Sequence, residues 1–230
     1  GDRALAGKEY NDIRLDPPTP FISDKDYAAN FREFLENCND GESWCFWYGP
    51  HEPHRRYQYG IGAEAGGKDP AEIDQVPAFW PDNETVRNDM LDYAYEIEYA
   101  DRHLLRMLCL LEERDKLRNT LIVVTADNGM PFPRAKGFQY EYSHHMPLAI
   151  MWKDGIRNPG RSESGFVSFV DFAGTFLNVS GIDHEASGMA PTSGKDLIEI
   201  FEDGYRKQDR SYIILGQERH DYGRPENQGY

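Results

Sequence analysis

The span from about Glu84 to Leu117 reads as one long helix. Almost at once it is followed by Leu121-Ile122-Val123-Val124-Thr125, β-branched and apolar nearly throughout. A long amphipathic helix running into a buried strand commits this part of the chain to a layered α/β arrangement. The same alternation recurs on both sides. Ser23 with Asp26 resembles a capping box, after which Tyr27, Phe31, Phe34, Leu35 and Cys38 recur at helical spacing. Trp44–Tyr48, an apolar run bounded by Gly41 and Gly49-Pro50, reads as a buried strand, and Pro147–Trp152 as another. A helix is expected from about Gly165 to Val179, closed by Gly181, then a short helix around Leu197–Phe201 and a strand at Tyr212–Leu215. The expected fold class is α/β, with layers of helix on a mainly parallel mixed sheet. The long helix carries the stripe Val86, Met90, Ala94, Ile97, Asp101, Leu104, Leu108 and Leu111. Asp101 is an acidic break in it that calls for a salt bridge or a cap.

Composition narrows the classes of function. A chain of 230 residues that is 39% hydrophobic and 13% aromatic can fill a core, which excludes wholesale disorder. Its net charge of −15 repels phosphate backbones and argues against a nucleic-acid partner. No run approaches the roughly 18 apolar residues of a membrane span. The opening GDRALAGKEYNDIRL is too polar to read as a secretory signal. Cys38, Cys45 and Cys109 form no C-x-x-C and are an odd total, so they read as buried thiols rather than zinc ligands or a disulfide scaffold. There is no internal repeat and no clean linker, so one domain or part of one is expected.

In open α/β sheets ligands bind beyond the carboxyl ends of the strands. After the first strand stands His51-Glu52-Pro53-His54-Arg55-Arg56, within a Gly-, Pro- and aromatic-rich segment from His51 to Asp82. Pro53 argues against a helical pair of imidazoles. Histidines beside two arginines suit an anion or a proton transfer better than a metal, and a solvated basic loop is the plainer reading. After the second strand stands Asp127-Asn128-Gly129. A carboxylate beside an amide carbonyl offers hard oxygens for Ca²⁺ or Mg²⁺, yet Asn-Gly is also an ordinary turn. Two oxygens are too few for Ca²⁺, so other ligands would have to join them. The loop from Phe132 to His145 adds Arg134, Lys136, His144 and His145, and Lys136 equally reads as a surface lysine.

Taken together and in order, several stretches resemble the sulfatase family of the alkaline-phosphatase-like superfamily. They are WCFWYGPHEPHRR (44–56), DYAYEIEYADRHLLRMLCLLEERDKL (92–117), NTLIVVTADNGMPFPRAKG (119–137), HHMPLAIMW (144–152) and FVSFVDFAGTFLNVSGI (166–182). The sulfamidase, or heparan N-sulfatase, branch shares H-x-P-H-R, DNG-x-PFP and a segment like Val76-Pro77…Pro81-Asp82. The resemblance implies the alkaline-phosphatase-like form of the α/β fold, incomplete here. Residues 1–205 would be the C-terminal portion of the catalytic domain and 206–230 the start of a small C-terminal subdomain.

The resemblance also implies roles. Asp127 and Asn128 match two ligands of a catalytic Ca²⁺. His54 matches the histidine that contacts sulfate and protonates the leaving group, and Lys136 the basic residue on the sulfate oxygens. His51 and Arg55, with His144, His145 and His220, would shape the sugar pocket. The family nucleophile is a formylglycine made from a Cys or Ser in C/S-x-P-S/A-R. No cysteine here stands in such a motif, so the nucleophile is expected upstream and the chain alone is expected to be inactive. The implied activity is hydrolysis of a sulfate ester or sulfamate on a sulfated glycan, in a periplasmic, secreted or lysosomal-type setting. Rival readings are a phosphodiesterase or phosphomutase of the same superfamily, and a catalytically silent glycan-binding remnant.

Overall fold

The computed structural model describes residues 7–203 and 210–216. The chain divides into two compact units, residues 1–115 and 116–230.

In the first unit, helix α1 (Tyr27–Asn37) begins one turn later than the Ser23 signal suggests. Asp26 is the N-cap, its carboxylate accepting from the Ala29 amide at 3.0 Å, while the Ser23 hydroxyl accepts from the Lys25 amide. Such a cap stabilises a helix by about 1 kcal/mol. Segment 44–48 is extended but joins no ladder among the described residues. It alternates instead. Trp44 and Phe46 turn toward α1, where Phe46 lies 4.8 Å from Phe31 and 4.9 Å from Phe34 between ring centroids. Trp47 points away and is 88% exposed. The run expected to be buried on both faces is therefore buried on one, because aromatic packing on a helix replaces a second layer.

Helix α2 (Ile61–Glu64) meets helix α3 (Glu84–Glu113) closely. A Cβ on Gly62 would lie 2.4 Å from the Leu91 carbonyl oxygen, so only glycine fits there. Asp92 accepts from the Gly60 and Gly62 amides at 2.9 and 2.8 Å, pinning the start of α2 to α3. Helix α3 starts at the Asn83 cap and ends at Glu113, short of the expected Leu117.

Its buried face is rotated from the expected stripe. Leu91, Tyr95, Tyr99, His103, Met107 and Leu110 are buried, whereas Ile97 is exposed. Asp101 is exposed too, and the buried acids are Asp92 and Glu96. Hydropathy ranks Tyr and His below Leu and Ile. Yet Tyr99 and His103 supply rings packed together beside α1, where His103 lies 5.2 Å from Tyr27, and Tyr95 packs toward Gly66 just past α2. The cysteines differ from expectation in the same way. Cys45 and Cys109 are exposed and Cys38 half-buried, because each lies on the side of its element that the aromatic core does not use.

In the second unit, β1 (Ile122–Thr125) pairs antiparallel with β2 (Leu148–Met151), Ile122 opposite Met151 and Thr125 opposite Leu148. No parallel ladder occurs among the described residues. The connection from 126 to 147 contains only the short helix α4 (Glu141–His144), and the chain doubles back instead of making the crossover that parallel strands need. Helix α5 (Val170–Val179) is followed by Gly181 at φ +68°, the left-handed position expected of a closing glycine. Helix α6 (Ile198–Asp203) brings Phe201 against Trp152. Residues 212–215, where a strand was expected, form no ladder among the described residues, and Ile214 is 86% exposed. Among the described residues, no helix is long and apolar enough to cross a membrane.

Candidate active site

The first unit presents its chemistry on the turn from His51 to Arg56. The His54 amide donates to the His51 carbonyl at 2.9 Å, and the two imidazoles lie 5.2 Å apart, both residues exposed. His54 Nδ1 is 2.6 Å from the Arg55 carbonyl oxygen. A carbonyl only accepts, so Nδ1 carries the proton and Nε2 is left as the atom that can exchange one with a ligand. Arg55 pairs with Asp89 through both terminal nitrogens, one at 2.9 Å, and lies over the Tyr57 ring. The hydrogen bonds to Asp89 hold the Arg55 guanidinium above its ordinary range. A shallow cleft of about 420 Å³ runs beside this turn, lined by Arg55, Arg56, Tyr57, Tyr59, Asp89 and Asp92.

Beneath the turn lies an acidic group that pattern reading missed. Glu52 is 4% exposed, and its two carboxylate oxygens accept from the Ser23 amide at 2.7 Å and the Tyr27 hydroxyl at 2.9 Å. Glu96 on α3 is 1% exposed, and its Oε2 has no hydrogen-bond partner. Burial, then the nearby charges of Glu52 and Asp92, push the Glu96 carboxyl up to about 8. The only signal in the sequence was an acid inside H-E-P-H-R and another inside an aromatic helical stretch.

Glu96 gives a pH prediction. Its folded pKa lies above its ordinary 4.5, so folding holds the proton and stability falls as pH rises from about 4.5 to about 8. Each pKa unit corresponds to about 1.4 kcal/mol. Glu96→Gln should therefore match wild type near pH 4.5 and exceed it by a few kcal/mol above pH 8. Paired thermal melts at the two pH values check this, and a difference independent of pH would contradict it.

The second unit places Asp127 and Asn128 just beyond β1. The Asn128 side-chain nitrogen donates to the Gly129 carbonyl at 3.1 Å, which leaves its side-chain oxygen available as a ligand. Gly129 is not a positive-φ turn residue. It is required by close approach, since a Cβ there would sit 1.9 Å from the Tyr142 carbonyl oxygen, and its amide donates to Ser143. The Asp127-Asn128 corner is thus held against α4, which carries His144. Lys136 is exposed at the end of a loop closed by its own amide to the Met130 carbonyl at 3.0 Å and anchored by buried Phe132 and Ala135. His145 contacts Glu141 at 2.6 Å on the surface, and His144 Nε2 is buried without a hydrogen-bond partner. His220 lies outside the described residues.

The donor set can be tested against a cation. An exposed carboxylate and a free amide oxygen are hard donors that suit Ca²⁺. Among the described residues no group of three or more His, Cys, Asp or Glu could hold a metal, and this pair alone is too small a donor set for one.

Solved structures share the fold. A Bacteroides thetaiotaomicron structure from a glycosaminoglycan-metabolism locus matches with a TM-score of 0.57 and 16% identity, over 84% of this chain and 40% of that one. A Bacteroides fragilis structure described as a sulfatase, yidJ, matches with a TM-score of 0.50 and 23% identity, over 62% of this chain and 32% of that one. The Sulfatase family model matches residues 2–182, and the chain belongs to that family.

Its curated relatives include a Formosa agariphila ulvan-active sulfatase, 28% identical over 64% of this chain and 23% of the relative. A Bacteroides thetaiotaomicron N-acetylglucosamine-6-O-sulfatase is 36% identical over 41% of this chain and 17% of the relative. Human N-sulphoglucosamine sulphohydrolase is 26% identical over 64% of this chain and 33% of its own. The chain therefore spans between 17% and 33% of the length of these relatives.

Proposed function

We propose that this chain is the part of a sulfatase that supplies the proton donor, one sulfate-binding cation and two calcium ligands for hydrolysis of a sulfate ester or sulfamate on a glycan, N-sulfoglucosamine or a related sugar. The observation that carries the reading is the His51–His54 turn in a chain matched by the Sulfatase family model over residues 2–182. With Nδ1–H held on the Arg55 carbonyl, protonated His54 donates from Nε2 to the departing oxygen or nitrogen. The Lys136 ammonium acts as a point charge on the sulfate oxygens. Asp127 and Asn128 would hold a calcium ion together with ligands from outside these residues, and the ion would supply fixed positive charge to the sulfate. We assign substrate binding to His51, Arg55, His144, His145 and His220. A formylglycine nucleophile would be supplied from outside these residues, with residues 1–205 as the C-terminal portion of the catalytic domain and 206–230 as the start of its small C-terminal subdomain. The net charge of −15 does not oppose an anionic substrate, because exposed charges more than about 8–10 Å apart are screened at physiological salt. A periplasmic, secreted or lysosomal-type setting fits a glycan substrate.

Sulfate release from N-sulfated and 6-O-sulfated glucosamine disaccharides tests the reading in the enzyme that contains this chain. Turnover should be lost on chelation, and the 230-residue chain alone should show none. His54→Ala should lower kcat by about 10²–10⁴-fold on the sugar. The loss should be much smaller on an aryl sulfate, whose leaving group needs no proton. Cleavage of an aryl phosphodiester in place of either sulfated sugar would transfer the protein to the phosphodiesterase branch.

A further inference from the structure

The orientation of His54 rests on a backbone atom, since Nδ1 is held by the carbonyl of its neighbour Arg55. Whatever fixes the backbone of this turn therefore fixes the imidazole. Three side chains hold it. Tyr57 donates from its hydroxyl to the Pro53 carbonyl at 2.8 Å. Tyr27 accepts from the His51 amide at 3.0 Å and donates from its hydroxyl to the Glu52 carboxylate at 2.9 Å. Glu52 also accepts from the Ser23 amide at 2.7 Å, tying the turn to the segment just before α1.

The direction of each bond in this chain is determined. The His51 amide must donate, so the Tyr27 hydroxyl accepts there and has one proton left, which goes to a carboxylate that only accepts. Tyr27 is itself wedged between rings, 5.4 Å from Tyr48 and 5.2 Å from His103. His103 is 3% exposed, and burial holds it below its ordinary range. A carboxylate 4% exposed is costly, and a well-packed apolar residue is often no less stabilising, so core stability alone is a weak reason for an acid at position 52.

We propose that Glu52 and Tyr27 form a buried clamp that positions the His51–Arg55 turn and so aims the His54 imidazole at the leaving group. Neither touches substrate; both are positioning residues. The assignment rests on the reading of His54 as the proton donor.

Tyr27→Phe tests it with little disturbance, because the ring and its packing remain and only the hydroxyl is removed. In the enzyme that contains this chain, kcat on a sulfated sugar should fall about 10- to 100-fold with KM nearly unchanged, as expected when a group 1 Å out of place loses transition-state contact. The deficit should shrink on an aryl sulfate. Hydrogen exchange of the His51 amide should quicken at least tenfold. Glu52→Gln, which keeps the acceptor for Ser23 but presents an NH₂ to Tyr27, should show the same split between kcat and KM. A lower Tm with unchanged kcat in both variants, while His54→Ala abolishes turnover, would overturn the clamp and leave the donor reading intact. Full turnover in His54→Ala would overturn the donor reading, and with it the aiming role.

Discussion

Asp127→Ala in the enzyme that contains this chain should abolish sulfate release, with kcat/KM falling about 10³-fold or more, along with tight calcium binding. The residue stands at the end of a strand whose register is fixed by four partner positions on β2, so the backbone that presents it is rigid. Among the described residues its carboxylate makes no ion pair or hydrogen bond, and it is exposed. Its removal should therefore change stability by no more than about 0.5 kcal/mol, which separates loss of function from unfolding. Asn128 keeps its oxygen free by donating from its nitrogen to Gly129, and Asn128→Ala should weaken calcium by a smaller factor than loss of the charged ligand. Calorimetric calcium titration beside steady-state kinetics provides the check. Undiminished turnover in Asp127→Ala would remove this residue from the metal site.

Asp171→Ala should destabilise the second unit by about 3–5 kcal/mol. Asp171 is 1% exposed and accepts four hydrogen bonds: from the Ser168 amide at 2.7 Å, the Lys195 amide at 2.9 Å, and Arg210 at 2.8 and 2.7 Å. Removing the carboxylate takes away the acceptor of two amides and of the half-buried Arg210 guanidinium, against a total stability of about 5–15 kcal/mol for a typical domain. Burial raises the pKa of Asp171, but the Arg210 and amide bonds more than offset this and hold it below the usual carboxylate range. Its stabilisation is therefore present above the unfolded pKa near 3.8 and is lost as pH falls through the lower folded value. Urea melts at pH 7 and pH 3 check both statements. The wild-type advantage over Asp171→Ala should shrink at the lower pH, and a loss under about 1 kcal/mol at pH 7 would mean the bridge contributes little. Asp171→Leu combined with Arg210→Met should recover only the part of the loss due to the guanidinium, since the Ser168 and Lys195 amides still lack the carboxylate.

The elements that obey local periods were legible in the sequence to within a few residues, whereas the strands expected at 44–48 and 212–215 join no ladder among the described residues. Helix α3, strands β1 and β2 and the Gly181 closure are set by spacing, branching and a glycine, each acting over less than a dozen positions. The candidate site was legible as runs, H-E-P-H-R and D-N-G, since each holds its chemistry within a few consecutive residues. Two misreadings share one cause. The stripe through Ile97 and Asp101, and the supposed burial of the cysteines, assumed that the most hydropathic face packs. Tyr95, Tyr99 and His103 occupy that place because ring area and ring–ring contact outweigh hydropathy when a polar tip finds a partner or a dry pocket.

Local pattern could not distinguish a parallel from an antiparallel partner for β1, because a run of apolar residues fits either until the connection is folded. Nor could it show Glu52 as anything but an acid in a basic loop. Its bonds reach Ser23 and Tyr27, 29 and 25 positions away, and the hydrogen-bond chain to His51 exists only once α1 lies beneath the turn. Residue identity and short spacing show which chemical groups the chain offers. Contacts between distant parts of the chain decided which of them are buried, which proton each carries and what holds them still, because burial and hydrogen-bond direction are properties of the packed molecule.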